Sequence, residues 1–229
     1  MKIAMKLLAA AGAAALVIVA SPAMAHAPYT VTAGSQTTGT VAFDGTTTAD
    51  GIKFYTDFVT MGCESGSATG NVNLGTVDGD GDGTPDGNGV ANITDTGWNN
   101  CIGPLGIAMT VDQIGTWDLN VQGNNVGGVI AGTITNVNAR VASVTPGQCE
   151  FTVTGQVGGS FDDEYFDPNI DPPKKQQLLT VDDTSPDNNL VVSDVTGCFG
   201  QVVTGDQAYF AATYDITNSS DGDLAIASS

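Results

Sequence analysis

Apolar residues alternate with polar residues along most of this chain. Trp117, Leu119 and Val121 are separated by polar residues, and a longer series places five apolar side chains on one face: Ala208, Phe210, Ala212, Tyr214 and Ile216. A repeat of two is typical of β-strands with one buried face. Short alternating runs bounded by Gly, Asn and Asp recur throughout. The pattern predicts an all-β fold, an antiparallel sandwich or barrel of about 8–12 short strands.

The first 27 residues have a different pattern, typical of a secretory signal peptide. Lys2 and Lys6 precede an apolar run over 7–20, and Ala23-Met24-Ala25 supplies the small residues that a signal peptidase cleaves. We therefore expect a secreted, extracellular protein, free or held at the cell surface, with no membrane insertion after cleavage. The predicted organisation is a signal peptide at 1–27, one β domain at 28–217 and a flexible tail at 218–229.

Four cysteines remain after cleavage, and in an exported protein an even number predicts disulfides. A weak internal similarity relates two halves, 28–122 and 123–217: ITDTGWNNCIG (93–103) resembles VSDVTGCFG (192–200). The similarity favours pairing of Cys63 with Cys101 and of Cys149 with Cys198, although chance similarity among β-rich sequences is an alternative explanation of the repeat.

Charge and histidine content exclude several functions. Without the predicted signal, four basic residues stand against 25 acidic ones, a formal charge of −21. Such a surface repels nucleic acid and anionic lipid. His26 is the single histidine and lies at the predicted cleavage site. Histidine-dependent triads and zinc sites are therefore excluded from the folded domain.

The segment DGDGDGTPDGNG, residues 78–89, has the oxygen-rich spacing of a calcium loop. Its candidate ligands occupy positions 1, 3, 5, 7 and 9 of the loop: Asp78, Asp80, Asp82, the Thr84 carbonyl and Asp86. The loop resembles EF-hand and thrombospondin type 3 calcium loops, but Gly89 replaces their closing acidic residue. The sequence predicts weak calcium binding, with a solvated acidic turn as the alternative.

Three aromatic residues are candidate ligand contacts. Trp98 lies beside Asn99 and Asn100, where an indole ring stacks on a sugar or covers the disulfide of Cys101. Tyr165 and Phe166 lie in the excursion DDEYFDPNIDPPKKQQ, 162–177, whose prolines predict a loop outside the sheet. That loop is either a recognition surface or a variable insertion.

The chain from Tyr29 to Ile216 resembles a family of small actinobacterial secreted proteins of unknown function. The resemblance rests on phrases such as VTAGSQTTGTV, CIGPLGIAMT, GTWDLNV, GTITNVNARV, CEFTVTGQV and FAATYDI. A more remote likeness is to the exported alkane-oxidation activator family, which has a late strand of the type GxCxFTVTGxV. Neither resemblance implies an activity for this chain. Beside the first family, this sequence is expanded at 78–89 and 162–177.

These patterns favour a non-catalytic extracellular or envelope-associated protein that interacts with an unidentified partner through its loops, with calcium ordering one loop. A small-ligand or carbohydrate-binding module is the alternative. A glycoside hydrolase that uses paired Asp residues is a third hypothesis, but Glu64 and Glu150 each follow a cysteine, which favours local structural roles.

Overall fold

The computed structural model describes residues 29–77, 89–166, 175–220 and 222–228. They form one antiparallel sheet of 14 strands, which confirms the predicted all-β class. The strands are β1 Tyr29–Ala33, β2 Gly39–Thr56, β3 Thr60–Cys63, β4 Ser65–Thr76, β5 Ala91–Asn99, β6 Cys101–Ile102, β7 Ala108–Gln113, β8 Trp117–Val126, β9 Val129–Ser143, β10 Cys149–Phe166, β11 Lys175–Val181, β12 Leu190–Gly197, β13 Gln207–Asn218 and β14 Leu224–Ser228. Within the described residues, no helix has the length and apolar character needed to cross a membrane.

The sheet closes on itself. Four long strands, β2, β9, β10 and β13, belong to both halves of the closed sheet. In one half, β4, β5, β8 and β11 complete the ring, and pairing runs β2–β4–β5–β8–β9–β10–β11–β13 and back to β2. In the other half pairing runs β2–β3–β6–β7–β9–β10–β12–β13 and back to β2. Closure favours the barrel alternative over the sandwich.

The strands are longer than the sequence predicts, and β2 and β10 each contain 18 residues. Bulges let them continue where the alternation breaks. In β10 the register shifts between Gly155 and Val157. Gly155 has a φ of 134°, and a Cβ there would lie 2.5 Å from the Asn189 carbonyl oxygen. The glycine that suggests a strand end in the sequence therefore marks a bulge inside one long strand.

The alternating apolar residues face the interior, as predicted. All five residues of the β13 series are buried, and so are Trp117 and Val121. The Trp117 indole N–H donates to the Asn138 carbonyl at 3.2 Å. Two apolar cavities of about 70 and 50 Å³ remain inside, and Ile134 lines both. One continuous core thus fills the closed sheet.

Both predicted disulfides are present, Cys63–Cys101 and Cys149–Cys198, and all four cysteines are buried. The first joins β3 to β6 at the base of the β4–β5 hairpin, whose tip contains the acidic segment. The second joins the start of β10 to the residue after β12. The two predicted sequence halves, 28–122 and 123–217, do not form separate sheets, because each ring of paired strands contains strands from both.

The prediction of a flexible tail at 218–229 is wrong for Leu224–Ser228. These residues form β14, which pairs with β1 in antiparallel register from Leu224 opposite Ala33 to Ser228 opposite Tyr29. Leu224 and Ile226 are buried, and this burial of apolar surface stabilises the strand. The predicted signal peptide, 1–27, lies outside the described residues.

Candidate functional site

Four chain connections lie together at the end of the closed sheet that contains the disulfides, which we call the disulfide end. They are 57–59, 103–107, 144–148 and 198–206, and each joins two neighbouring strands of the half that includes β3 and β12. Because neighbouring strands in this half are antiparallel, all four connections fall on the same side. Backbone bonds join 198–206 to 144–148, since Cys198 N–H donates to Gln148 O at 2.8 Å, and join 144–148 to the start of β7, since Val144 N–H donates to Ala108 O at 2.9 Å.

Every one of these connections exposes a large apolar side chain. We call the set the apolar rim: Phe58 (74% exposed), Leu105 (74%), Val144 (61%), Phe199 (61%) and Val203 (48%). Single exposed apolar residues are normal on protein surfaces, but a cluster on neighbouring loops marks an interaction surface.

The disulfide end is also nearly free of charge. The segments 58–62, 101–110, 141–149 and 195–205 contain no Asp, Glu, Lys or Arg. Two acids lie at the margin, Asp57 at the start of the first connection and Asp206 at the end of the last, where its carboxylate accepts the Val203 N–H at 2.9 Å. In a chain with 25 acidic residues, this end is therefore set apart from the rest of the surface.

Two rim residues are held outward by unusual backbone conformations. Leu105 has φ 56° and ψ 21°, and Phe199 has φ 52° and ψ 27°. Each is followed by a glycine at positive φ, Gly106 or Gly200, in a turn closed by an i+3 hydrogen bond. Two consecutive positive φ values are the type I′ pattern, in which Asn-Gly is the favoured pair. Here Leu-Gly and Phe-Gly occupy it.

The buried disulfides lie next to these turns and fix their bases. Cys101 is three residues before Pro104, and Cys198 opens the second turn itself. The rim side chains carry no donor, acceptor or titratable group, so the rim itself can bind but cannot transfer protons or attack a bond.

A tyrosine pair lies on the outer wall next to the rim. Tyr55, near the end of β2, stacks on Tyr209 of β13 with ring centroids 5.0 Å apart. The Tyr55 hydroxyl donates to Asp183 Oδ2 at 2.6 Å. This hydrogen bond, followed by burial, raises the pKa of Tyr55 to about 12. The phenol therefore stays neutral under ordinary conditions and ties the β11–β12 connection to the wall.

None of the five predicted calcium ligands can be placed. Asp78, Asp80, Asp82, Thr84 and Asp86 all lie outside the described residues. Gly89 is described: its N–H donates to Asn120 Oδ1 and its carbonyl accepts from Asn73 Nδ2, both at 2.7 Å. Within the described parts of the chain, no group of three or more His, Cys, Asp or Glu residues could hold a metal ion.

Trp98 belongs to the interior packing. Its ring meets Phe210 edge-on with centroids 5.3 Å apart, and it lines the cavity of about 50 Å³. Its indole N–H donates to Thr96 Oγ1 at 3.0 Å. Trp98 is partly buried, and this packing favours a structural role for its ring, while ligand contact through its exposed part stays a prediction.

Tyr165 and Phe166 end β10 rather than lying in a loop, which corrects the expectation that the segment from 162 to 177 leaves the sheet. They pair with Gln176 and Lys175 of β11. The prolines fall within 167–174, outside the described residues. This end of the sheet is opposite the disulfide end, so the fold separates Tyr165 from Trp98, which pairs with Gly66 near the disulfides.

The glutamates after cysteines have local partners. Glu150 accepts Arg140 Nε at 2.7 Å, and Glu64 accepts Asn100 Nδ2 at 2.7 Å. The hydrogen bond from Arg140 holds the pKa of Glu150 below its usual range. A general acid in a glycosidase needs the opposite shift.

No protein-family model matches this chain, and neither the curated proteins nor the solved structures include a match.

Proposed function

We propose that this protein is a non-catalytic extracellular binding module that attaches through the apolar rim to an uncharged apolar face of a partner protein at the cell envelope. The observation that carries the proposal is the exposure of five large apolar side chains on four neighbouring loops at the disulfide end, whose charged groups are confined to its margin.

Electrostatics supports an uncharged partner face. With a formal charge of −21 after loss of the predicted signal, contact elsewhere on the surface is repulsive for any acidic partner. At the disulfide end this repulsion is smallest, and burial of aromatic and aliphatic anchors supplies the main favourable free energy. Backbone conformations fixed by the turns reduce the entropy that would be lost on binding.

Calcium has a separate place in the proposal. Val77 and Gly89 flank the predicted calcium loop, and both lie at the end opposite the rim, between the end of β4 and the start of β5. Calcium bound by the 78–89 segment would order that connection without contributing to the rim.

The rim is tested in cells that secrete the chain, by comparing its distribution between envelope and culture medium. The variant Phe58→Ser/Leu105→Asn/Phe199→Asn removes three rim side chains. The control Val126→Ser/Val129→Ser removes exposed apolar side chains next to the 127–128 turn at the opposite end. We expect wild type and control in the envelope fraction and the rim variant in the medium.

Equal distribution of all three folded proteins would overturn the proposal. A photo-crosslinking residue at position 105 identifies what the rim touches, since crosslinks to protein support the proposal and crosslinks to lipid alone contradict it. Recovery of the chain in the cytosol with residues 1–27 uncut would contradict the extracellular assignment.

A further inference from the structure

Strand β14 pairs with β1 along one edge, and no other described strand pairs with its second edge. In an exposed edge strand, the backbone groups on that edge bond to water. Here the second edge faces β8, β10 and β11, at the end of the closed sheet opposite the rim.

Side chains take the place of a neighbouring strand along this second edge. The Gln177 amide accepts the Leu224 N–H at 3.0 Å, and its Nε2 donates to the Leu224 carbonyl. The Asp163 carboxylate lies on the same side as the Ile226 N–H, which stabilises its charged form, and Asn125 Nδ2 donates to the Ile226 carbonyl at 2.7 Å. These bonds follow alternate residues of β14, as the bonds of an antiparallel ladder do.

Two of these side chains are buried. Gln177 is 4% exposed and Asp163 is 7% exposed, and both are among the four buried polar or charged residues in the described parts of the chain. A buried amide without partners destabilises a protein, so the arrangement requires an extended backbone opposite Gln177. The bonds recognise main-chain groups and are indifferent to the side chains of the strand. We call this position, bounded by β1, Gln177, Asp163 and Asn125, the strand slot.

The side chains of β14 do not fill the space beneath them. Leu224 and Ile226 point inward and line the apolar cavity of about 70 Å³, together with Val31, Phe161 and Leu179. Larger side chains at these two alternate positions would fill that space, and closing a cavity of this size is favourable.

We propose that the strand slot is a β-augmentation site for an extended segment of another protein that carries large apolar side chains at two alternate positions. Main-chain bonds to β1, Gln177 and Asn125 hold the incoming segment, and the cavity selects its side chains. The chain's own β14 occupies the slot until it is displaced. This proposal is independent of the apolar rim, which lies at the other end.

Displacement is opposed mainly by the tether. Residues 219–223 connect β13 to β14, and a short connection gives the chain's own strand a high effective concentration. The ion pair between Lys175 and Asp223, 3.1 Å long, is largely exposed and adds little. A competing segment therefore needs the better fit that larger side chains provide.

The test uses the full mature chain with Ile226→Ser, which weakens occupancy by its own strand. Two fluorescein-labelled peptides are compared by anisotropy: residues 222–229 as they stand, and the same peptide with Leu224→Phe and Ile226→Phe. We expect saturable binding of both, with the phenylalanine peptide bound on the order of tenfold more tightly, from the volume of the cavity. Adding Gln177→Leu to the protein should weaken both peptides at least tenfold.

Three results would overturn the proposal: no binding at ~1 mM peptide, which is the effective concentration that a short tether provides; equal affinity of the two peptides; or affinity that is unchanged by Gln177→Leu. Concentration-dependent dimers of the Ile226→Ser protein without peptide would instead assign the slot to a second copy and contradict the chosen partner. If Ile226→Ser unfolds the protein, the wild-type chain is used instead. Adding the phenylalanine peptide should then speed the amide hydrogen exchange of Ala225 and Ala227, because their strand is displaced. An unchanged exchange rate would contradict displacement.

Discussion

Leu105 and Phe199 occupy the same position in two type I′-like turns, one next to each disulfide, and both are exposed. Left-handed backbone is unfavourable for Leu and Phe by roughly 1–2 kcal/mol. Neither side chain gains burial in return. Residues in unfavourable backbone conformations occur most often at functional sites. The conformations of Leu105 and Phe199 therefore support a role for these two turns in binding.

Asparagine at these positions should stabilise the protein. Leu105→Asn and Phe199→Asn relieve the backbone conformation, because Asn is enriched in this region, and each should add about 0.5–1 kcal/mol to the free energy of unfolding. For a chain of this size that raises Tm by about 2–4 °C per kcal/mol, measured by calorimetry.

The matched control is Leu105→Ala, which removes the exposed apolar side chain and keeps a Cβ without the conformational preference of Asn. Its Tm should not rise. An equal gain in the alanine variant would show that loss of exposed apolar surface, rather than relief of the turn, explains the effect.

The two disulfides should stabilise the folded protein by similar amounts. They close segments with sequence separations of 38 and 49 residues. In the chain-entropy description, loops of this length correspond to about 4 kcal/mol each. Cys63→Ala/Cys101→Ala and Cys149→Ala/Cys198→Ala are each compared with wild type by urea unfolding, and losses below about 1 kcal/mol would contradict this expectation.

Strand faces and disulfide pairs could be predicted from the sequence because both depend on local patterns. Alternation of the kind seen at Trp117, Leu119 and Val121 reports burial directly, and the internal similarity aligned Cys101 with Cys198. Strand lengths could not be predicted in the same way. Gly155 reads as a strand end, but a register shift carries β10 past it.

Strand β14 was missed because its stabilising partners are distant in sequence. Leu224 bonds to Gln177, and Ile226 to Asn125, about 100 residues away. The pattern Leu-Ala-Ile-Ala-Ser is short, and it follows the polar and acidic segment 217–223, which is typical of a tail. Rim residues were missed for another reason: within CIGPLGIAM, Leu105 is indistinguishable from a core residue until the turn direction is known. The absence of charge around both turns was the available signal.

Asp163 should make the stability of the closed sheet depend on pH. Burial, opposed by the attraction of Lys175 and reinforced by Glu164, raises the pKa of this carboxyl. A raised folded-state pKa means that the folded protein holds the proton more tightly than the unfolded chain. Stability from this group is therefore present at acidic pH and lost as pH rises from the unfolded value, about 3.9, through the folded value.

Asp163→Asn removes this titration and keeps a carbonyl that can accept the Ile226 N–H. We expect the variant to have a higher Tm than wild type at pH 7, with the difference shrinking toward pH 4. Asp162→Asn is the neighbouring control and should not reproduce the effect. A variant less stable than wild type at pH 7 would show that the charged carboxylate itself holds β14.

Calcium should bind the 78–89 segment weakly, with a dissociation constant of roughly 0.1–1 mM, because the residue in the closing position is Gly89 rather than an acidic residue. Titration of calcium into chelator-stripped protein, followed by calorimetry, measures this directly. Asp80→Asn/Asp82→Asn should abolish the heat, since two of the central carboxylates are lost. Asp57→Asn, at the disulfide end, removes one negative charge and should leave the heat of calcium binding unchanged.

If the double variant still binds calcium like wild type, the ion is attracted by the overall acidity of the chain, because a converging ligand set would not survive the loss of two members. Magnesium, which requires a smaller octahedral shell, should not compete at equal concentration, and competition would likewise indicate a diffuse ion atmosphere.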